Sequence, residues 1–223
     1  QVIPILEPIA PRLYSVSSSP EAHSGEVHIT VVRDKFSING EIKYGLCSDL
    51  LSQLEPDSTI DFYIHKNTQF KLPAASKDVI MIGPGTGIAP FRSFLAERDA
   101  TGAGGRNWLF FGDQCFVTDF LYQTEIQNWA DTGVLTNVHL AFSRDQQSKI
   151  YVQHRMLEYA ADLWQWINEG AYIYVCGTRA PMSTDVENAL IQIVQNYGGK
   201  SVAEAFSFVE KLKEEGRYLL DVY

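Results

Sequence analysis

Residues 79–92 read VIMIGPGTGIAPFR, and this stretch decides the fold. The apolar run Val79-Ile80-Met81-Ile82 ends in the turn Gly83-Pro84-Gly85-Thr86-Gly87, which runs straight into the amphipathic segment PFRSFLAERDA at 90–100. Strand, glycine-rich turn and helix in that order aim backbone N–H groups and a helix N-terminus at one point, as a pyrophosphate seat requires, with Thr86 as an extra donor. The alternative reading is a tight turn whose glycines only permit unusual backbone angles. The spacing is not G-x-G-x-x-G, so the usual dinucleotide fingerprint is absent.

Outward from that turn the same alternation repeats. Apolar strand candidates lie at 79–83, 108–112, 138–142, 171–177 and 218–222, and helical patterns at 90–100, 118–132, 151–168, 180–197 and 201–215. Strands that alternate with helices predict βαβ units and a parallel five-stranded α/β domain. Thr118 with Asp119, and Ser201 with Glu204, read as helix N-caps, and Gly198-Gly199 as a helix end.

Residues 1–72 have a different period. EVHITVVR at 26–33 and TIDFYIH at 59–65 alternate like half-buried strands, 70–72 is a third candidate, and YGLCSDLLSQL at 44–54 turns helical after a polar turn. Short strands with Pro and Ser turns predict part of an antiparallel β-barrel or sandwich. The stretch is thin for a closed barrel, so strands are expected upstream of Gln1, where the chain opens without a methionine. The expected domains are 1–76 and 77–223, with a linker near 73–77.

Eighteen basic against 27 acidic side chains give a net charge of −9, which argues against a nucleic-acid partner. Cys47, Cys115 and Cys176 are scattered, with no CxxC spacing for a metal or redox pair, so a reducing, cytoplasmic setting is expected and no metal site. No window approaches the roughly 18 apolar residues of a membrane span, and the opening lacks the basic start and apolar core of a signal peptide.

Several motifs carry a resemblance. GPGTGIAPFRSFL at 83–95 resembles the nicotinamide-side loop of the ferredoxin–NADP⁺ reductase superfamily, RLYS at 12–15 its flavin motif, and YGLCS at 44–48 its flavin-diphosphate loop. YVCG at 174–177 and an aromatic C-terminus after Asp221-Val222 resemble its diflavin branch. NWLFFG (107–112), DFLYQTE (119–125), SRDQ (143–146), KIYVQ (149–153) and RYLLDVY (217–223) are similar to the sulfite-reducing members of that branch. The resemblance covers essentially the whole chain.

It implies an NADPH-dependent flavoprotein reductase with FAD between a β-barrel flavin domain and an α/β nicotinamide domain. Electrons would pass on to FMN, on a domain not present in these residues, and then to a hemoprotein subunit that reduces sulfite to sulfide. The chain is therefore expected to be the C-terminal part of a longer protein. Arg12 would pair with flavin diphosphate through its planar fork, Tyr14 would stack on the isoalloxazine, and Leu13 belongs to the same motif. Ser15 would bond near flavin N5, Thr30 matches a further flavin contact, and Gly45, Leu46, Cys47 and Ser48 would hold the diphosphate. Gly85, Thr86 and Gly87 would seat NADPH. Ser143, Arg144, Lys149 and Tyr151, with Ile150, Val152 and Gln153 in the same motif, would form a 2′-phosphate clamp that selects NADPH over NADH. Asp185 matches another cofactor contact. Cys176, Asp221 and Tyr223 would set hydride geometry, Tyr223 covering a flavin face. The residue after YVCG departs from the pattern, with Thr178 where Asp is expected.

Each element also has a plainer reading: a solvated loop at 143–149, a core cysteine at 176, a first-turn helix acid at Asp185, an edge strand at 218–222. Other functional readings are a reductase for a cytochrome partner, a one-flavin reductase, and a non-catalytic fragment that binds NADP⁺.

Overall fold

The computed structural model describes residues 9–223, so residues 1–8 of the expected flavin-side domain lie outside the described residues. The core is a five-stranded parallel sheet: β3 (Val79–Ile82), β4 (Asn107–Asp113), β5 (Asn137–Phe142), β6 (Tyr172–Gly177) and β7 (Tyr218–Val222), in the order β5-β4-β3-β6-β7. It is preceded by the hairpin β1 (Lys35–Ile38) and β2 (Glu41–Tyr44) and by helix α1 (Leu46–Ser52).

Period-two alternation splits the strand side chains between two helical layers. Ile80, Ile82, Trp108, Phe110, Ile173 and Val175 pack with α5 (Val152–Glu158), α6 (Ala160–Asn168), α7 (Thr184–Gly198) and α8 (Val202–Glu214). Val79, Met81, Leu109, Phe111, Tyr174 and Cys176 pack with α2 (Ala89–Ala100) and α4 (Gln123–Asp131). Burial on both faces is what a parallel sheet requires, and it explains why these runs are apolar throughout. The chain runs outward from β3 through β4 to β5, then returns to the other side of β3 as β6. The topological switch point therefore lies between the carboxyl ends of β3 and β6, where open α/β sheets bind ligands.

All five expected parallel strands are present, within a residue or so of the expected bounds. Ser201 and Glu204 form a capping box, and Gly199 at φ 61° ends α7. Two expected helices are each broken. The 118–132 segment divides into α3 (Phe116–Asp119) and α4, and the 151–168 segment into α5 and α6. Thr118 and Asp119 do not cap α4. Asp119 instead accepts the Cys115 N–H at 2.8 Å, and α4 starts from Tyr122 at φ 57°. The expected start of α7 is displaced to Thr184, because Ala180 precedes a proline and takes an extended conformation (φ −135°).

The flavin side differs most. Segments 26–33, 59–65 and 70–72 are not strands; an isolated bridge joins Val16 to Ile29. Val27, Ile29, Val32, Ile60, Phe62, Tyr63 and Ile64 remain exposed, because no further strand pairs with them among the described residues. The regular pair is instead the β1–β2 hairpin, turned by Asn39 (φ 51°) and Gly40 (φ 82°). Asn-Gly between alternating runs is a strong hairpin signal, and it stood unread in KFSINGEIKY.

Candidate nicotinamide and flavin site

The loop after β3 is glycine-rich because its neighbours leave no room. A Cβ on Gly87 would lie 2.1 Å from the Cys176 carbonyl oxygen, and one on Gly83 would lie 2.4 Å from the Gly87 oxygen. Gly85 sits at φ +56°, and the loop turns directly into α2. The Gly87 contact fixes the β3 loop against the end of β6. Gly87→Ala is expected to cost about 3 kcal/mol in urea unfolding, since two backbones must part. Gly85→Ala has open space and is expected to cost about 1 kcal/mol, from its left-handed backbone alone.

The sheet register brings the next group together. Cys176 pairs with Asp221 across β6 and β7. The Asp221 carboxylate accepts the Ser15 hydroxyl at 3.2 Å, with the Cys176 Sγ at 3.9 Å from the same oxygen. Two residues on, the Tyr223 N–H donates to the Gly177 oxygen at 3.1 Å, and its hydroxyl lies 2.7 Å from Thr86 Oγ1. Tyr223 thus reaches the glycine-rich loop while staying 64% exposed.

Burial, followed by the neighbouring Asp221 charge, pushes the Cys176 thiol up to about 12. It is therefore a neutral thiol at pH 7 and not a nucleophile. Because the folded value lies above the ordinary 9.0, the thiol's contribution to stability is complete below pH 9 and is lost as pH rises toward 12. The stability gap between wild type and Cys176→Ala is expected to narrow over that window, by up to about 4 kcal/mol, in urea titrations at stepped pH.

On the flavin side Tyr14 is half-buried, with Arg12 and Leu13 exposed beside it. Burial and its bond with the Cys47 thiol push the Tyr14 phenol up to about 12. Ser48 is buried in the loop: its hydroxyl donates to the Gly45 oxygen at 3.1 Å and accepts the Asp34 N–H at 3.0 Å. That hydroxyl shapes the Gly45-Leu46-Cys47-Ser48 turn from within, and Leu46 stands 72% exposed. Thr30 Oγ1 lies 2.6 Å from the Tyr122 hydroxyl.

The third group follows β5. Ser143 is fixed by its N–H and hydroxyl to the Asp113 oxygen (2.9 and 3.3 Å), and the Arg144 N–H donates to the Gln114 oxygen at 2.8 Å. The side chains of Arg144 and Lys149 are exposed and form no ion pair among the described residues. Tyr151 precedes α5, its N–H donating to His154 Nδ1 at 3.0 Å, while Ile150 and Val152 anchor the segment in the core. Gln153 donates to Asp185 at 3.2 Å, which ties α5 to α7. One residue escaped the sequence reading. Asp113 ends β4, and its carboxylate, raised by burial, stands 3.9 Å from where a Gly85 Cβ would be. Its position at a strand's carboxyl end was the available signal.

The family model described as "Oxidoreductase NAD-binding domain" matches residues 81–188, and that described as "FAD binding domain" matches residues 1–50. The chain is 48% identical over its whole length to the sulfite reductase [NADPH] flavoprotein alpha-component of Bacillus subtilis (strain 168). It is 49% identical to that of Serratia proteamaculans (strain 568) and 47% identical to that of Escherichia coli O157:H7. Both family matches are of the ferredoxin–NADP⁺ reductase type, the FAD-binding match first and the NAD-binding match second along the chain. The chain spans 37–38% of the length of these relatives. Among the described residues no helix is long and apolar enough to cross a membrane.

Proposed function

We propose that this chain is the FAD-holding, NADPH-oxidising portion of a sulfite reductase flavoprotein. The observation that carries the reading is the meeting of the Ser15 hydroxyl and the Cys176 thiol at the Asp221 carboxylate, with Tyr223 two residues further along the same strand end. The flavin-side segment and the sheet's switch point meet at that carboxylate. The turn in which the Lys77 N–H donates to the Ala74 oxygen supports a division into a flavin domain over 1–76 and a nicotinamide domain over 77–223.

The residues suit the two groups. Gly83 and Gly87, which have no room for a Cβ, let the loop pack tightly against Phe91 and the end of β6, and the Gly83–Gly87 turn, running straight into α2, suits the pyrophosphate of NADPH. Arg144 and Lys149, exposed and without carboxylate partners among the described residues, suit a 2′-phosphate. Arg12, Tyr14 and the 45–48 turn suit FAD, Tyr14 by its ring face and Arg12 by its fork. When bound, NADPH supplies a hydride and FAD accepts it, chemistry that belongs to the cofactors. The chain orients and insulates. The Ser15 hydroxyl gives its one proton to Asp221 and would offer its lone pairs to a hydrogen-bond donor on the flavin side. Asp221 sets a negative charge beside the nicotinamide seat, and the Cys176 thiol packs the floor without ionising. Tyr223, exposed and tied through its hydroxyl to Thr86, would cover a flavin face.

The relatives are named as the flavoprotein component of a sulfite reductase, and the proposal adds an FMN-bearing domain of the same longer protein, a sulfite-reducing hemoprotein subunit and a cytoplasmic setting. The sparse flavin-side sheet favours one rival, a fragment that binds NADP⁺ without holding FAD. Stopped-flow absorbance at the oxidised-flavin band separates the two. Rapid bleaching of the FAD-loaded protein by NADPH, much slower with NADH, is expected. A stable FAD complex that NADPH does not bleach overturns the proposal, and failure to take up FAD supports the rival.

A further inference from the structure

We infer that Arg92, with Tyr122 and Glu125, is a positioning clasp that fixes the flavin-side segment against the nicotinamide domain. Arg92 follows the phosphate loop on α2 and is 8% exposed. Its Nε and Nη2 donate to the two Glu125 carboxylate oxygens at 2.7 and 3.0 Å. Its Nη1 donates to the Ser17 carbonyl and to His28 Nδ1, both at 2.9 Å. The guanidinium therefore joins α2, α4 and both arms of the segment that carries Ser15 and Thr30.

Tyr122 completes the clasp. Its ring lies 4.7 Å from the Arg92 Cζ, and its hydroxyl meets Thr30 at 2.6 Å and Ser17 at 3.4 Å. It does so from φ 57°, a conformation an L-residue keeps only where its surroundings over-determine it. Ser93 donates to the Ser18 carbonyl at 2.7 Å, and Ser19 bonds to Glu97. Ser17, Ser18 and Ser19 are buried under these bonds.

The arrangement is far richer than the contact needs for adhesion. Four of the five N–H donors of the planar fork go to named acceptors, so it fixes orientation as well as distance. Ser15 stands two residues from Ser17 and reaches Asp221 at its other end. The clasp thus holds one end of a short strut whose other end is the reacting corner. Hydride transfer is sensitive to placement at the ångström scale, where misplacement costs about a hundredfold. The inference rests on the proposed function for its role in catalysis, but the clasp itself can be read without turnover.

The test uses the FAD-loaded protein with Tyr122→Phe, which keeps the ring on Arg92 and removes only the hydroxyl, and Arg92→Lys, which keeps the charge and removes the fork. Amide hydrogen exchange at Ser17 and His28, whose N–H groups are bonded within this segment, is expected to rise at least about tenfold, with amides 79–82 unchanged. Flavin bleaching by NADPH is expected to slow about tenfold for Tyr122→Phe and about a hundredfold for Arg92→Lys. The nicotinamide–flavin charge-transfer absorbance should weaken, with NADP⁺ affinity unchanged. Unchanged exchange at Ser17 and His28 in both variants overturns the clasp. So does a loss of rate that follows lost FAD alone, with full charge-transfer absorbance per bound flavin. If wild type is not bleached at all, the proposed function fails, and the exchange result still decides the clasp.

Discussion

Replacing Arg144 and Lys149 together by alanine is expected to weaken NADP⁺ binding about a hundredfold and to leave NAD⁺ binding within about twofold. Charge-assisted hydrogen bonds to a phosphate contribute about 1.5–3 kcal/mol each when shielded, whereas exposed ion pairs contribute about 0–1. Both cations are exposed, so the pair falls near the lower limit of the first range, about 2.7 kcal/mol in total. The fold does not depend on either side chain. Arg144 is held through its backbone N–H on the Gln114 oxygen, and Ser143 through Asp113. Truncation therefore removes charge without moving the loop. NAD⁺ lacks the 2′-phosphate and never meets that charge. Calorimetric titration with both nucleotides, at low and moderate salt, checks the expectation. Equal losses for the two would mean that 143–149 is only a solvated loop.

The nicotinamide half was legible because a parallel strand buried on both faces announces itself. VIMI and YIYVCG have few other uses, and the glycines between strand and helix mark where side chains cannot fit. The flavin half resisted for the opposite reason. Alternation in TIDFYIH says which face seeks cover, not what covers it, and Phe62, Tyr63 and Ile64 stay exposed without a partner strand among the described residues. Helix breaks were hidden because long-range contacts make them. Tyr122 is turned aside by Thr30 and Arg92, and the Tyr159 ring stacks on His139 at 3.6 Å. Motifs name Cys176 and Asp221 separately, while only the β6–β7 register makes them neighbours. Asp113 belongs to no motif, and Arg92 sits inside one that speaks of phosphate; its partners lie 33 to 75 residues away.

Asp221→Asn is expected to slow flavin bleaching by NADPH about two hundredfold, with FAD content and NADP⁺ affinity retained. The substitution keeps the shape of the side chain and one acceptor oxygen, so the Ser15 hydroxyl at 3.2 Å keeps a partner. What disappears is a negative charge that, under the proposed function, would stand beside the nicotinamide and favour the positive charge hydride loss leaves on it. Two unit charges about 5 Å apart at an effective dielectric near 20 interact by about 3 kcal/mol, and a carboxylate so placed would favour the transition state over the bound reactant. Ser15→Ala removes one hydrogen bond and leaves the charge, so its effect should be nearer tenfold. Wild-type bleaching by Asp221→Asn would remove this carboxylate from the mechanism. A thiolate cannot account for a loss of rate. Burial, the largest cause of the raised Cys176 value, is untouched by the substitution, so the thiol stays protonated at pH 7 with or without its acidic neighbour.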